Sequence, residues 1–89
     1  MIGRRVEPDI PREAMMPGDY RRRLEEGFVT DHWDVCLPNG IHTAISDKVH
    51  SVTEHPDGTI TVSPSILLEA GDPKWTWHGY LEHGVWRSC

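Results

Sequence analysis

His50-Ser51-Val52-Thr53-Glu54-His55, then Pro56-Asp57-Gly58, then Thr59-Ile60-Thr61-Val62-Ser63 is the stretch that decides the fold class. Val52, Ile60 and Val62 alternate with Ser and Thr, the period of a half-buried strand. Pro, Asp and Gly in a row supply the turn: Pro presets φ, Asp bonds its own backbone two residues on, and Gly takes positive φ. Two β-branched runs around such a turn read as a hairpin.

The same grammar recurs on both sides. His32-Trp33-Asp34-Val35-Cys36-Leu37 places Trp33, Val35 and Leu37 on one face, Pro38-Asn39-Gly40 turns the chain, and Ile41 to Ser46 returns. Lys74 to Leu81 and Val85 to Ser88 form a third hairpin around Glu82-His83-Gly84. Ile66-Leu67-Leu68 is expected to resume as a short buried strand after Pro64 interrupts the ladder. The expected architecture is mostly β: a small antiparallel sheet or roll of three hairpins, with an extended N-terminal arm and one short helix. Residues 1–18, broken by Pro8, Pro11 and Pro17, are the arm; residues 19–89 are one small domain. Asp19 as a cap and Gly27 as a stop predict the helix over 20–26. Ile2, Val6, Ile10, Met15 and Met16 give the arm an apolar content that predicts packing across the domain or on a neighbouring subunit, hence a homo-oligomer.

A chain of 89 residues holds one core, which favours ligand sites in surface grooves or between subunits over a large internal cavity. No apolar run approaches the ~18 residues of a membrane helix, and the N-terminus lacks the apolar segment of a secretory signal. A soluble protein of the host cytoplasm is the expectation, and Cys36 and Cys89 are then expected to remain thiols. The net charge of −5 is uneven. Residues 1–23 carry six Arg against four acids, and residues 24–89 carry three bases against ten acids. That polarity argues against duplex nucleic acid as a partner and leaves room for a local Arg cluster that meets an anion.

Motifs for catalysis and metal binding are sparse. The six His show no helical H-x-x-x-H and there is no C-x-x-C pair, so neither a metal nor a cofactor is expected. Asp34 and Cys36 share a strand face, but no nucleophile signature surrounds Cys36, and no glycine-rich phosphate loop is present. No residue is assigned a catalytic role, and a non-enzyme is expected.

Trp75-Thr76-Trp77-His78-Gly79-Tyr80-Leu81 carries rings on both faces. Trp75, Trp77 and Leu81 point one way and, with Trp86 and Trp33, are expected to build the core. His78 and Tyr80 point the other way; with Trp86, Arg87 and the run Arg21-Arg22-Arg23 they are the candidate ligand-binding residues, an aromatic and cationic set suited to stacking a base and pairing a phosphate. The alternative for the Arg run is a solvated helix face, since three consecutive residues fan around a helix.

Thr59-Ile60-Thr61-Val62-Ser63-Pro64-Ser65-Ile66, followed by Trp77-His78-Gly79-Tyr80-Leu81 and Gly84-Val85-Trp86, resembles a family of small phage and prophage proteins with a domain of unknown function. The likeness covers roughly residues 30–89, and the arm, Arg4 to Glu13, looks like accessory proteins of phages that infect actinobacteria. Family members carry a cysteine-rich stretch resembling a zinc site; Val35-Cys36-Leu37-Pro38-Asn39-Gly40 keeps one Cys, and the later segment keeps His78 alone, too few ligands to close a tetrahedral site. The resemblance implies a phage protein acting stoichiometrically on host machinery. The leading expectation is sequestration of a small anionic, nucleotide-like host defence signal. A protein-binding inhibitor of a host protein and a virion component are the alternatives.

Overall fold

The computed structural model describes all residues, Met1–Cys89. Its elements are β1 (Arg4–Arg5), a single 3-10 turn (Arg12–Ala14), β2 (Asp19–Glu25), β3 (Phe28–Cys36), β4 (His42–Ser46), β5 (Ser51–Glu54), β6 (Ile60–Leu68), β7 (Trp77–Glu82) and β8 (Val85–Ser88). They form two four-stranded sheets, β1-β2-β3-β4 and β5-β6-β7-β8. All pairings are antiparallel except β1 with β2. The mostly β architecture is as expected, and the three hairpins form.

The helix over 20–26 does not form. Those residues lie in β2 and its turn, and Tyr20, Arg21 and Arg22 pair with Val35, Asp34 and Trp33. Glu26 (φ 51°) and Gly27 (φ 81°) are consecutive residues with positive φ, the requirement of a tight hairpin turn, so Gly27 reverses a strand instead of ending a helix. Pairing along β3 outweighs the weak propensity of a two-turn helix, which is marginal on its own.

The inner faces of the sheets meet in one core. Tyr20, Trp33, Val35, Leu37 and Ile45 come from the first sheet, and Ile60, Val62, Ile66, Trp77, Leu81 and Trp86 from the second. Trp77 and Trp86 meet edge to face at 5.5 Å between ring centroids, a favoured geometry for aromatic pairs. Trp75 is not part of this core: it lies in the loop before β7 with Lys74 over its ring. Trp33 is fully buried, its ring covered by the guanidinium groups of Arg22 at 4.5 Å and Arg5 at 5.0 Å. Of the predicted segment 66–68 only Ile66 is buried, and the segment continues β6 past a register shift between Val62 and Ile66, where Pro64 leaves the ladder without a donor.

Residues 1–6 form a strap that joins the sheets. Ile2 pairs antiparallel with Val85, and Trp86 and Met1 exchange backbone bonds. Arg4 and Arg5 then pair in parallel with Asp19 and Tyr20. Gly3 sits at the crossing, donating to the Gly84 carbonyl at 2.7 Å. A Cβ on Gly3 would stand 2.8 Å from both the Gly18 oxygen and the Trp86 indole nitrogen. Trp86 Nε1 itself donates to that Gly18 oxygen at 2.9 Å.

Beyond the strap, the arm covers the outer face of the first sheet. Met15 is buried there, and Arg21 donates to the carbonyls of Pro8 and Ile10. Arg21 also binds the buried Asp34 carboxylate through Nε at 3.1 Å, and Arg23 binds its other oxygen at 2.6 Å. Burial by itself would raise the Asp34 pKa; the hydrogen bonds and charges of Arg23 and Arg21 outweigh it and hold the carboxyl below its usual range.

Gly3→Ala forces the strap away from Trp86 and is expected to cost about 1–3 kcal/mol in chemical denaturation, with faster amide exchange at Gly3 and Trp86. Asp34 is ionised more readily folded than unfolded, so its stabilisation is present above the unfolded carboxyl pKa of about 3.9 and is lost as pH falls through the folded value. Asp34→Asn is therefore expected to lower stability at pH 7 by about 3 kcal/mol, by leaving Arg21 buried without its counter-charge. The same variant should show a shallower loss of Tm between about pH 4 and 2 than the parent chain.

Candidate functional site

The arm covers one outer face of the sandwich; the other outer face, on the second sheet, is open. Strand alternation fixes what it displays. Trp77, Leu81 and Trp86 point inward, so His78, Tyr80, Glu82, Val85 and Arg87 point outward. On β6 the outward residues are Thr61, Ser63, Ser65 and Leu67, and on β5 they are Ser51 and Thr53, which pair with Ser63 and Thr61. Directly paired residues share a face, so Ile2, 85% exposed, joins this surface beside Val85.

Three of the seven expected site residues come together here. His78 Nε2 lies 2.9 Å from Ser65 Oγ, and the Arg87 guanidinium sits 5.2 Å from the Tyr80 ring centroid, directly across the ladder. Arg87 also pairs with Glu82 at 2.6 Å, so the two full charges that these strands point outward neutralise each other, Glu54 of β5 pointing inward with Ile60. Thr61, Ser63, Pro64, Tyr80, Glu82 and Arg87 border a shallow groove of about 360 Å³. At one end of the face His55 and His83 stack in parallel at 3.8 Å, with Thr61 Oγ1 2.7 Å from His55 Nε2 and accepting the His83 amide. Asp57 beside them is held below the usual carboxylate range, first by hydrogen bonds from Thr59 and further by the two imidazoles.

The other four residues are elsewhere. Trp86 is buried in the core, where its indole nitrogen is satisfied by Gly18. Arg21 and Arg23 are on the far face of the first sheet, bound to Asp34. Arg22 points to the sandwich interior, over Trp33, and reaches Asp47 at 2.9 Å and Glu54 at 3.7 Å. The Arg run thus lies on a strand, not a helix, and alternates between two faces with every guanidinium committed to a carboxylate. Leu67, Val85 and Ile2 give the open face an apolar share that the aromatic and cationic residue types do not signal. Leu67 was legible in principle, since alternation turns it outward between Ile66 and Leu68.

Cys36 is buried beneath the arm; burial pushes its thiol up and Asp19 adds to the effect. Both influences oppose formation of the thiolate that a nucleophile requires. No group of three or more His, Cys, Asp or Glu is placed to hold a metal ion, and no helix is long and apolar enough to cross a membrane.

Comparison with known proteins adds little to this geometry. No family model matches the chain, and no solved structure matches it. Among curated proteins it is similar to fibronectin-binding protein A of Staphylococcus aureus (strain bovine RF122 / ET3-1), 27% identical over 82 residues. The match takes in 91% of this chain and 8% of the length of the staphylococcal protein.

Proposed function

We propose that this chain is a non-enzymatic phage accessory protein that binds a host protein stoichiometrically, in the host cytoplasm, through the open face of the second sheet. The observation that carries this reading is the make-up of that face. Tyr80, Leu67 and Val85, with Ile2 bridged to Val85, are exposed on a face whose only outward full charges from the strands, Glu82 and Arg87, are already paired. Charge depletion with Tyr and Arg at the centre is the composition of an interface core, and such anchors carry most of the binding energy. The depressions on this side, one beside Tyr80 and Arg87 and one beside His78 and Ser88, are open to solvent, whereas a small molecule needs a concave site that buries most of its surface.

The staphylococcal relative is named for binding fibronectin. Carried over to this chain, that name supports protein as the class of ligand. Burial and Asp19 raise the Cys36 thiol pKa, which disfavours Cys36 itself as a nucleophile.

Sequestration of a nucleotide-like anion is the second reading, favoured by His78, Tyr80 and Arg87 on one face beside a shallow groove. It has lost Trp86 and the Arg run as contacts, and Glu82 at 2.6 Å competes for the remaining guanidinium.

The test is a pull-down from actinobacterial lysate with the whole chain, then titration of the purified partner against Tyr80→Ala and Arg87→Glu. The expected result is one partner at a fixed ratio, with affinity reduced tenfold or more by either change, the loss typical of an interface anchor. Undiminished affinity in both variants overturns the assignment of this face. Micromolar binding of a mono- or dinucleotide in calorimetry, lost in the same variants, replaces it with the second reading.

A further inference from the structure

We propose that the tip of the β2–β3 hairpin is a second binding element, independent of the open sheet face: a preformed acidic and apolar finger that inserts into an apolar cleft rimmed by Lys or Arg on a partner protein. Its apolar groups are on both sides. Leu24 and Val29 are paired across the ladder, and Phe28 is paired with Glu25 one step further on, so it projects from the opposite face. Phe28 is 76% and Val29 70% exposed; Leu24 is also uncovered. A ribbon with apolar side chains on both faces loses water contact completely only when it is enclosed on both sides, which is the shape of a cleft and not of a flat surface.

The finger is held in shape without a partner. Glu26 and Gly27 form the tight turn with both φ angles positive. At its base Thr30 Oγ1 donates to the Arg23 carbonyl at 2.8 Å and accepts the His32 amide, and Arg22 donates to the Thr30 carbonyl at 3.1 Å. Such preorganisation lowers the entropy cost of docking.

Charge selects the occupant. Glu25 and Glu26 make no ion pair, while the neighbouring Arg22 and Arg23 are committed to Asp47 and Asp34. The tip therefore presents two unpaired negative charges beside Phe28. A second copy of this chain, at net charge −5, is repelled by that pair. An anionic membrane surface is repelled as well, although the three apolar side chains alone would insert. A cationic rim around an apolar cleft satisfies both features.

The experiment places p-benzoylphenylalanine at position 28 of the whole chain, irradiates it in the same lysate, and maps the cross-linked peptides by mass spectrometry. The expected result is one protein, cross-linked within an apolar cleft bordered by Lys or Arg. Yield should fall tenfold or more with Glu25→Lys and Glu26→Lys together, with circular dichroism unchanged because both positions are exposed, and should fall on raising salt from 50 to about 500 mM. Tyr80→Ala in the same background is expected to leave the yield within about twofold; its loss there would tie the contact to the sheet face and overturn an independent finger. Cross-links scattered over many proteins, to a second copy of the chain, or insensitive to charge reversal also overturn the proposal. So does binding to phosphatidylglycerol vesicles that survives the charge reversal.

Discussion

Everything in this fold depends on the backbone pairing of residues 1–6 with two strands from different sheets. Without the strap, β8 and β2 would each present an open edge of unpaired amides and carbonyls, the usual liability of a sheet. The strap occupies both, antiparallel along Val85 and Trp86 and parallel along Asp19 and Tyr20. It passes from one sheet to the other at Gly3, where the Gly84 and Gly18 carbonyls and the Trp86 indole leave no room for a side chain. A two-sheet core of eleven buried residues is thus closed along that side by hydrogen bonds spanning most of the chain.

Closure on that side makes the molecule asymmetric. The strap continues into the arm, which lies over part of the outer face of the first sheet, so the polar residues beneath it must find partners indoors. Asp34 does so with Arg21 and Arg23, and Asp19 with Arg4 and the Met16 amide. A buried carboxylate of this kind is tolerated only when its oxygens are fully bonded. The second sheet has no such cover, and its outer face keeps Ser, Thr, aromatic and aliphatic side chains in water with one internally satisfied ion pair. The contrast between a charge-consuming side and a charge-poor side is what directs the functional reading to the second sheet. The hairpin finger, at net negative charge and apolar on two sides, is a separate element carried by its own geometry.

The Arg run illustrates why residue types alone misplace a site. Arg21, Arg22 and Arg23 are adjacent in sequence, which suggests one cationic patch, but a strand sends neighbours to opposite faces. Arg22 ends over the Trp33 ring among Asp47 and Glu54, while Arg21 and Arg23 share Asp34. The sequence places Trp86 both in the core and among the ligand-binding residues, and the structure keeps only the first of these. The alternation of Trp86 with Val85 and Arg87 was visible, but which face of β8 is inward depends on where the first sheet packs.

By itself the sequence determined the β class, the positions of the turns at Asn39-Gly40, Asp57-Gly58 and His83-Gly84, and the inward set Trp33, Val35, Leu37, Ile60 and Val62. These are local properties: a period of two and a residue that tolerates positive φ are encoded within a few positions. Only the tertiary structure decided that 20–25 is a strand, that the arm straps the sheets, that Trp86 serves the core and not the ligand site, and that the Arg run divides between two faces. Those outcomes rest on contacts between residues far apart in sequence, such as Gly18 with Trp86 and Met1 with Trp86, separated by 68 and 85 positions. A hydrogen bond of that range is formed by the closure of the whole chain, and no local window of the sequence contains both of its partners.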